Sequence, residues 1–150
     1  MTELVRHRPL AGRDVVAGDV RMVVRSDLTA HMLTTRDAVE IDGAIRTAPC
    51  EHLFVGNEGG EGLARLAAVS GGAAALLHDM TAAFVFIDLI GPGVTAKLGL
   101  AHVDPGTAGA MRLADLRIVV DRRDDGLRLI VGASYAQYVW SWLLTKFETL

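Results

Sequence analysis

Five histidines, one cysteine and a few serines are the residues of this 150-residue chain that could carry acid–base, metal or nucleophilic chemistry. Their spacing argues against each. His7, His31, His52, His78 and His102 lie far apart, and no pair shows the i, i+4 spacing with an acidic neighbour that marks a helical zinc site. His78-Asp79 are adjacent, but neighbours in a strand point to opposite faces. His102 and Asp104 would share a face in extended backbone, yet Pro105 predicts a turn there. Cys50 is single, so it can form no internal disulfide and no cysteine-based zinc site; it reads as a small buried hydrophobe in a reducing compartment. Ser70 and Ser134 lack the glycine-flanked elbow that exposes a nucleophile, and Cys50 has no base within its segment. The glycines of 56–62 and 91–99 lack the Gly-Lys-Ser/Thr ending of a phosphate loop and read as turns. Arg122-Arg123 and Asp124-Asp125 form a solvated charge cluster at a hairpin tip. The residues thus assign no catalytic group and no metal ligand, and leave any cofactor-binding residue unknown.

The elements behind these residues are legible in part. A length of 150 residues suits one domain with its own core, and a 51% apolar, 22% charged composition belongs to a folded chain. A net charge of -3 leaves no basic excess for nucleic acid, and no apolar run approaches the length that spans a bilayer. Met1 to Pro9 mixes Glu3 with Arg6, His7 and Arg8 without a central apolar block, so it does not read as a secretion signal, and a cytoplasmic location is expected.

Pro9, Gly12 and Gly18 mark residues 1–18 as an extended N-terminal arm of the kind that wraps a partner, with 19–150 as the single domain. Short strands are predicted over 19–25 and 52–56, with a hairpin turn at Asp42-Gly43 flanked by Val39, Ile41 and Ile45. Helical spacing of Leu63, Leu66, Ala67 and Val69 predicts a helix over 62–70, ended by Gly71-Gly72. Strands follow at 73–78 and 84–90, then a short helix opened by Gly91-Pro92 and running through Val94 to Leu98. Met111 to Arg122 reads as one strand, Asp124-Asp125-Gly126 as a hairpin turn, and 127–131 as its partner strand. Ser134 suits an N-cap for a last helix whose apolar stripe is Tyr135, Val139, Trp142 and Leu143. Trp140 falls off that stripe, either as the rim of the core or as an anchor for a subunit contact. The order of elements indicates an α+β class: a mainly antiparallel sheet with helices packed on one face.

Two runs then resemble a known family. Phe84-Val85-Phe86-Ile87-Asp88-Leu89-Ile90-Gly91-Pro92, a strand entering Gly-Pro and a short helix, resembles the recurring strand of the aminomethyltransferase superfamily. Arg112-Leu113-Ala114-Asp115-Leu116, the 122–126 hairpin, Leu129-Ile130-Val131 and the closing Ser134-Tyr135-Ala136-Gln137-Tyr138-Val139-Trp140-Ser141-Trp142-Leu143 are similar to the gamma subunits of heterotetrameric sarcosine oxidases. The resemblance covers about 76–147 and reaches 49–56. It implies an aminomethyltransferase folate-binding-domain-like fold and a non-catalytic structural subunit of a flavin-dependent sarcosine oxidase or related N-methyl amine demethylase. The partners implied are flavin-binding large subunits, which hold FAD, FMN, NAD and tetrahydrofolate while this chain binds none of them. The alternatives are a tetrahydrofolate-binding protein taking part in aminomethyl transfer, and a stand-alone ligand-binding domain. The contacts expected are the N-terminal arm and Trp140.

Overall fold

The computed structural model describes residues 10–38, 41, 43–57 and 74–148. Among the described residues, ten strands and two α-helices form in chain order: β1 (Asp14–Ala17), β2 (Val20–Arg25), β3 (Leu28–Thr35), β4 (Ile45–Ala48), β5 (Glu51–Asn57), β6 (Ala74–Asp79), β7 (Phe84–Ile90), α1 (Val94–Lys97), β8 (Ala108–Leu113), β9 (Leu116–Arg123), β10 (Gly126–Gly132) and α2 (Ala136–Glu148). They make two antiparallel sheets, a larger one in the order β1-β2-β7-β10-β9-β8 and a smaller one in the order β4-β5-β3-β6. The architecture is α+β with mostly antiparallel strands, and three layers follow from its apolar alternation.

On one face of the larger sheet, Met22, Ile87, Leu89, Ile118, Val120, Leu127 and Leu129 pack with Trp140, Leu143 and Phe147 of α2 and with Val94 of α1. On the opposite face, Phe86 and Ile130 pack with Leu28, Ala30 and Leu53 of the smaller sheet. The central strands β7 and β10 are therefore covered twice. This is why they read as near-continuous apolar runs, where a strand with one wet face would alternate. Hairpin chemistry sets the joins. Gly18-Asp19 links β1 to β2, and Asp124-Asp125 links β9 to β10. A Cβ at Gly126 would run into the carbonyl oxygen of Leu89, so only glycine lets β10 start flush against β7.

Several expectations change. The segment 111–122 is not one strand but the end of β8, a two-residue turn and most of β9, since Ala114 and Asp115 take φ of 53° and 62°. Two successive left-handed residues are what a tight type I′ hairpin needs, and neither is glycine or asparagine, so the usual turn signal is missing. Residues 28–35 form β3, the centre of the smaller sheet, although Thr29, His31, Thr34 and Thr35 dilute the apolar pattern. Within the expected arm, 14–17 pair along their whole length with β2, and Leu10 joins the core; residues 1–9 lie outside those described. The predicted helix over 62–70 also lies outside them, as do Val39 and Asp42 of the predicted turn.

Ser134 sits in a 3-10 turn, Ala133–Tyr135, that precedes α2, so it does not cap the helix. The buried stripe of α2 is Ala136, Val139, Trp140, Leu143 and Phe147, at spacings of three and four. Tyr135 and Trp142 fall outside it and Trp140 lies at its centre, 1% exposed. Counting from Tyr135 shifts the phase by one residue, because Tyr135 belongs to the 3-10 turn. Trp140→Ala should therefore remove about 3–5 kcal/mol of stability, measured by urea unfolding. A loss below about 1 kcal/mol would contradict its place in the core.

Candidate functional site

The larger sheet's face toward the smaller sheet carries one charged row among its apolar residues. Asp88 of β7 stands directly across from Arg128 of β10, and both are buried. The guanidinium donates from Nε to Oδ1 at 2.7 Å and from Nη2 to Oδ2 at 3.2 Å. Arg25 of β2 donates a third bond from Nη1 to Oδ2 at 3.0 Å, and its remaining nitrogens donate to Asp27 at 2.8 and 2.6 Å. That last bond holds the Asp27 carboxyl below the ordinary carboxylate range and raises Arg25 above its own. Two carboxylates and two guanidiniums make the chain neutral. Every oxygen of Asp88 is engaged, so the row acts as a cross-strand tie and offers no free acid or base.

The histidines do not converge. His31 of β3 is buried with Nε2 3.9 Å from Oδ2 of Asp79, its cross-strand neighbour on β6. His52 of β5 is 1% exposed, and its Nε2 has no hydrogen-bond partner among the described residues. Burial, with Arg46 as a lesser contribution, pushes its pKa below the ordinary value for histidine. His78 is exposed and His102 stands in an exposed turn, while His7 and Ser70 lie outside the described residues. Cys50 is half-buried in the turn between β4 and β5, with Sγ 3.9 Å from the carbonyl oxygen of Arg36. Among the described residues, no three histidine, cysteine, aspartate or glutamate side chains gather as a metal site would require. Nor is any described helix long and apolar enough to cross a membrane.

The hairpin tip and Gly91-Pro92-Gly93 enclose an open cleft of about 400 Å³. Arg122 beside it is a structural tie. Its Nη1 donates to the carbonyl of Val103, and its backbone bonds Gly106 and Thr107, fastening the loop after α1.

What the fold leaves outward is an aromatic flank on α2. Tyr135 and Tyr138 are more than half exposed, and Trp142 is half-buried one turn beyond Tyr138. Trp142, with the Lys146 ammonium 5.4 Å from its ring centre, borders a cleft of about 550 Å³ that also takes in Lys97, Arg112 and Asp115. Tyr135 borders a second cleft of about 270 Å³ on the other side of Asp115. Of the contacts expected from sequence, Trp140 is thus in the core and its aromatic neighbours form the surface. The described end of the arm is an edge strand with Val16 72% exposed.

Comparison with known proteins gives a match of structure and none of sequence. No family model and no curated protein matches this chain. Its fold is similar to that of a chain in the heterotetrameric sarcosine oxidase from Corynebacterium sp. U-96, solved in complex with pyrrole 2-carboxylate. The TM-score is 0.72 at 16% identity, covering 91% of this chain and 90% of that one. At that identity the shared property is the fold.

Two outcomes test the polar groups. Asp88→Leu leaves Arg128 buried against an apolar neighbour and should cost about 3–5 kcal/mol, whereas Asp88→Leu with Arg128→Met should recover most of it. A double variant whose loss equals the sum of the Asp88→Leu and Arg128→Met losses, read from urea midpoints, would show that the pair is not coupled. Because the folded-state pKa of His52 is depressed, its stabilising effect is full above the unfolded value near 6.5 and declines as pH falls through the folded one. The melting temperature of the parent should therefore drop relative to His52→Leu below about pH 6.5. Parallel pH profiles would contradict this.

Proposed function

We propose that this chain is the small, non-catalytic subunit of a heterotetrameric, flavin-dependent oxidase of sarcosine or a related N-methylated amine. The observation that carries the reading is the likeness of fold to a chain of such an oxidase over nine-tenths of both chains. The Phe84-to-Pro92 strand and the aromatic closing helix support it independently. In this reading the antiparallel sheets under α2 are the folate-binding fold of the aminomethyltransferases, retained without its chemistry.

The buried polar groups agree with that role. Asp88 is consumed by two arginines, His31 faces the Asp79 carboxylate, and His52 Nε2 has no hydrogen-bond partner among the described residues. The flavins, NAD and tetrahydrofolate belong to the partner subunits, in the cytoplasm. A small subunit laid over their surface would help exclude water from the path of the imine formed by amine oxidation, which otherwise hydrolyses. The outward aromatic rings fit burial against a partner, since Tyr and Trp are enriched in such contacts.

The chain co-expressed with its flavin-binding subunits should elute with them at a fixed ratio, in one peak carrying flavin absorbance. Separate elution at micromolar concentration would overturn the assignment. Calorimetry of the isolated chain with tetrahydrofolate should give no binding heat. A saturable isotherm would instead make this chain a folate-binding partner in one-carbon transfer.

A further inference from the structure

We propose that the cationic groove beside α2 receives an acidic segment of a partner polypeptide, a reading that rests on the chain being a subunit and specifies how it docks. Three elements supply the charge: Lys97 from α1, Arg112 from β8 and Lys146 from α2. Asp115 alone opposes them, 3.8 Å from Arg112 with both side chains more than four-fifths exposed. Among the described residues neither Lys97 nor Lys146 forms a salt bridge, and Lys146 instead lies over the Trp142 ring. The groove therefore carries a local excess of two positive charges on a chain whose formal net charge is -3. Positive potential concentrated against the overall sign is a steering feature for an anionic partner.

Shape decides between a small anion and a polypeptide. The cations line an open cleft of about 550 Å³, which has room for a polypeptide segment and which a single phosphate would leave largely unfilled. The second cleft begins at the same Asp115 and ends at Tyr135, seven residues before Trp142. At about 1.5 Å per helical residue the aromatic flank extends the surface by roughly 10 Å beyond the cations. An extended segment with carboxylates opposite Lys97, Arg112 and Lys146 and an apolar side chain against Trp142 and Tyr138 matches that layout. The rings contribute the anchoring area and the cations the orientation.

The test uses the chain and its co-expressed flavin-binding subunits. Lys97→Glu with Lys146→Glu should weaken association at least about tenfold. Raising salt from roughly 50 to 500 mM should weaken the parent complex by a similar factor and affect the variant far less. Arg36→Glu with Arg46→Glu makes the same charge change at exposed sites elsewhere and should leave association nearly unchanged. If the parent binds and the groove variant binds equally well, the groove is not the docking site, although the subunit assignment stands. Equal weakening by both variants would reduce the effect to net charge and overturn the groove. Displacement of the subunits by micromolar inorganic phosphate, with a change in Trp142 fluorescence, would make it a small-anion site instead. No association of the parent at all would remove both readings.

Discussion

Strand β7 lies between α2 and the smaller sheet, and burial on both of its faces is the constraint from which the rest of the molecule follows. Val85, Ile87 and Leu89 must satisfy one layer while Phe84 and Phe86 satisfy the other, so the strand can hold almost nothing polar. Its single acid, Asp88, is admitted only because Arg128 stands opposite it on β10 and Arg25 reaches it from β2. An isolated carboxylate at that depth would cost several kcal/mol. The central three strands are thus held in register by a polar lock as well as by apolar packing, because a slip of β10 by one residue would turn Arg128 toward the helical core.

Which parts were legible in the amino-acid sequence follows from the same layering. β7 and β10 stood out because double burial makes them apolar without alternation, and the β9–β10 turn announced itself through Asp124-Asp125-Gly126. The β8–β9 turn did not, because Ala114 adopts left-handed backbone against its residue preference, Asp115 has no glycine beside it, and the adjacent apolar residues made the segment look continuous. β3 was obscured because polar threonines and a histidine share a strand with Leu28, Ala30 and Leu33. The phase of α2 was misjudged for a geometrical reason. A 3-10 turn advances about 120° per residue where an α-helix advances 100°, so spacing counted across the junction rotates the stripe. The outward aromatic flank could be located only once that phase was known.

The chemistry-bearing residues show a common pattern. Asp88, Arg25 and Arg128 are tied to one another, Arg122 is tied to the loop after α1, and His52 is shielded from water. Groups with the capacity to transfer protons or bind substrates are spent on internal geometry. The surface, in contrast, presents rings and cations that have few internal partners, concentrated beside one helix.

The helix that seals the larger sheet follows, in chain order, all six strands beneath it. During synthesis β2, β7 and β10 therefore emerge before Trp140 and Phe147 exist to cover Met22, Ile87 and Leu129. The nascent chain passes through a stage at which a greasy sheet face is open to its surroundings, a stage that favours chaperone capture and sticking to other unfinished chains.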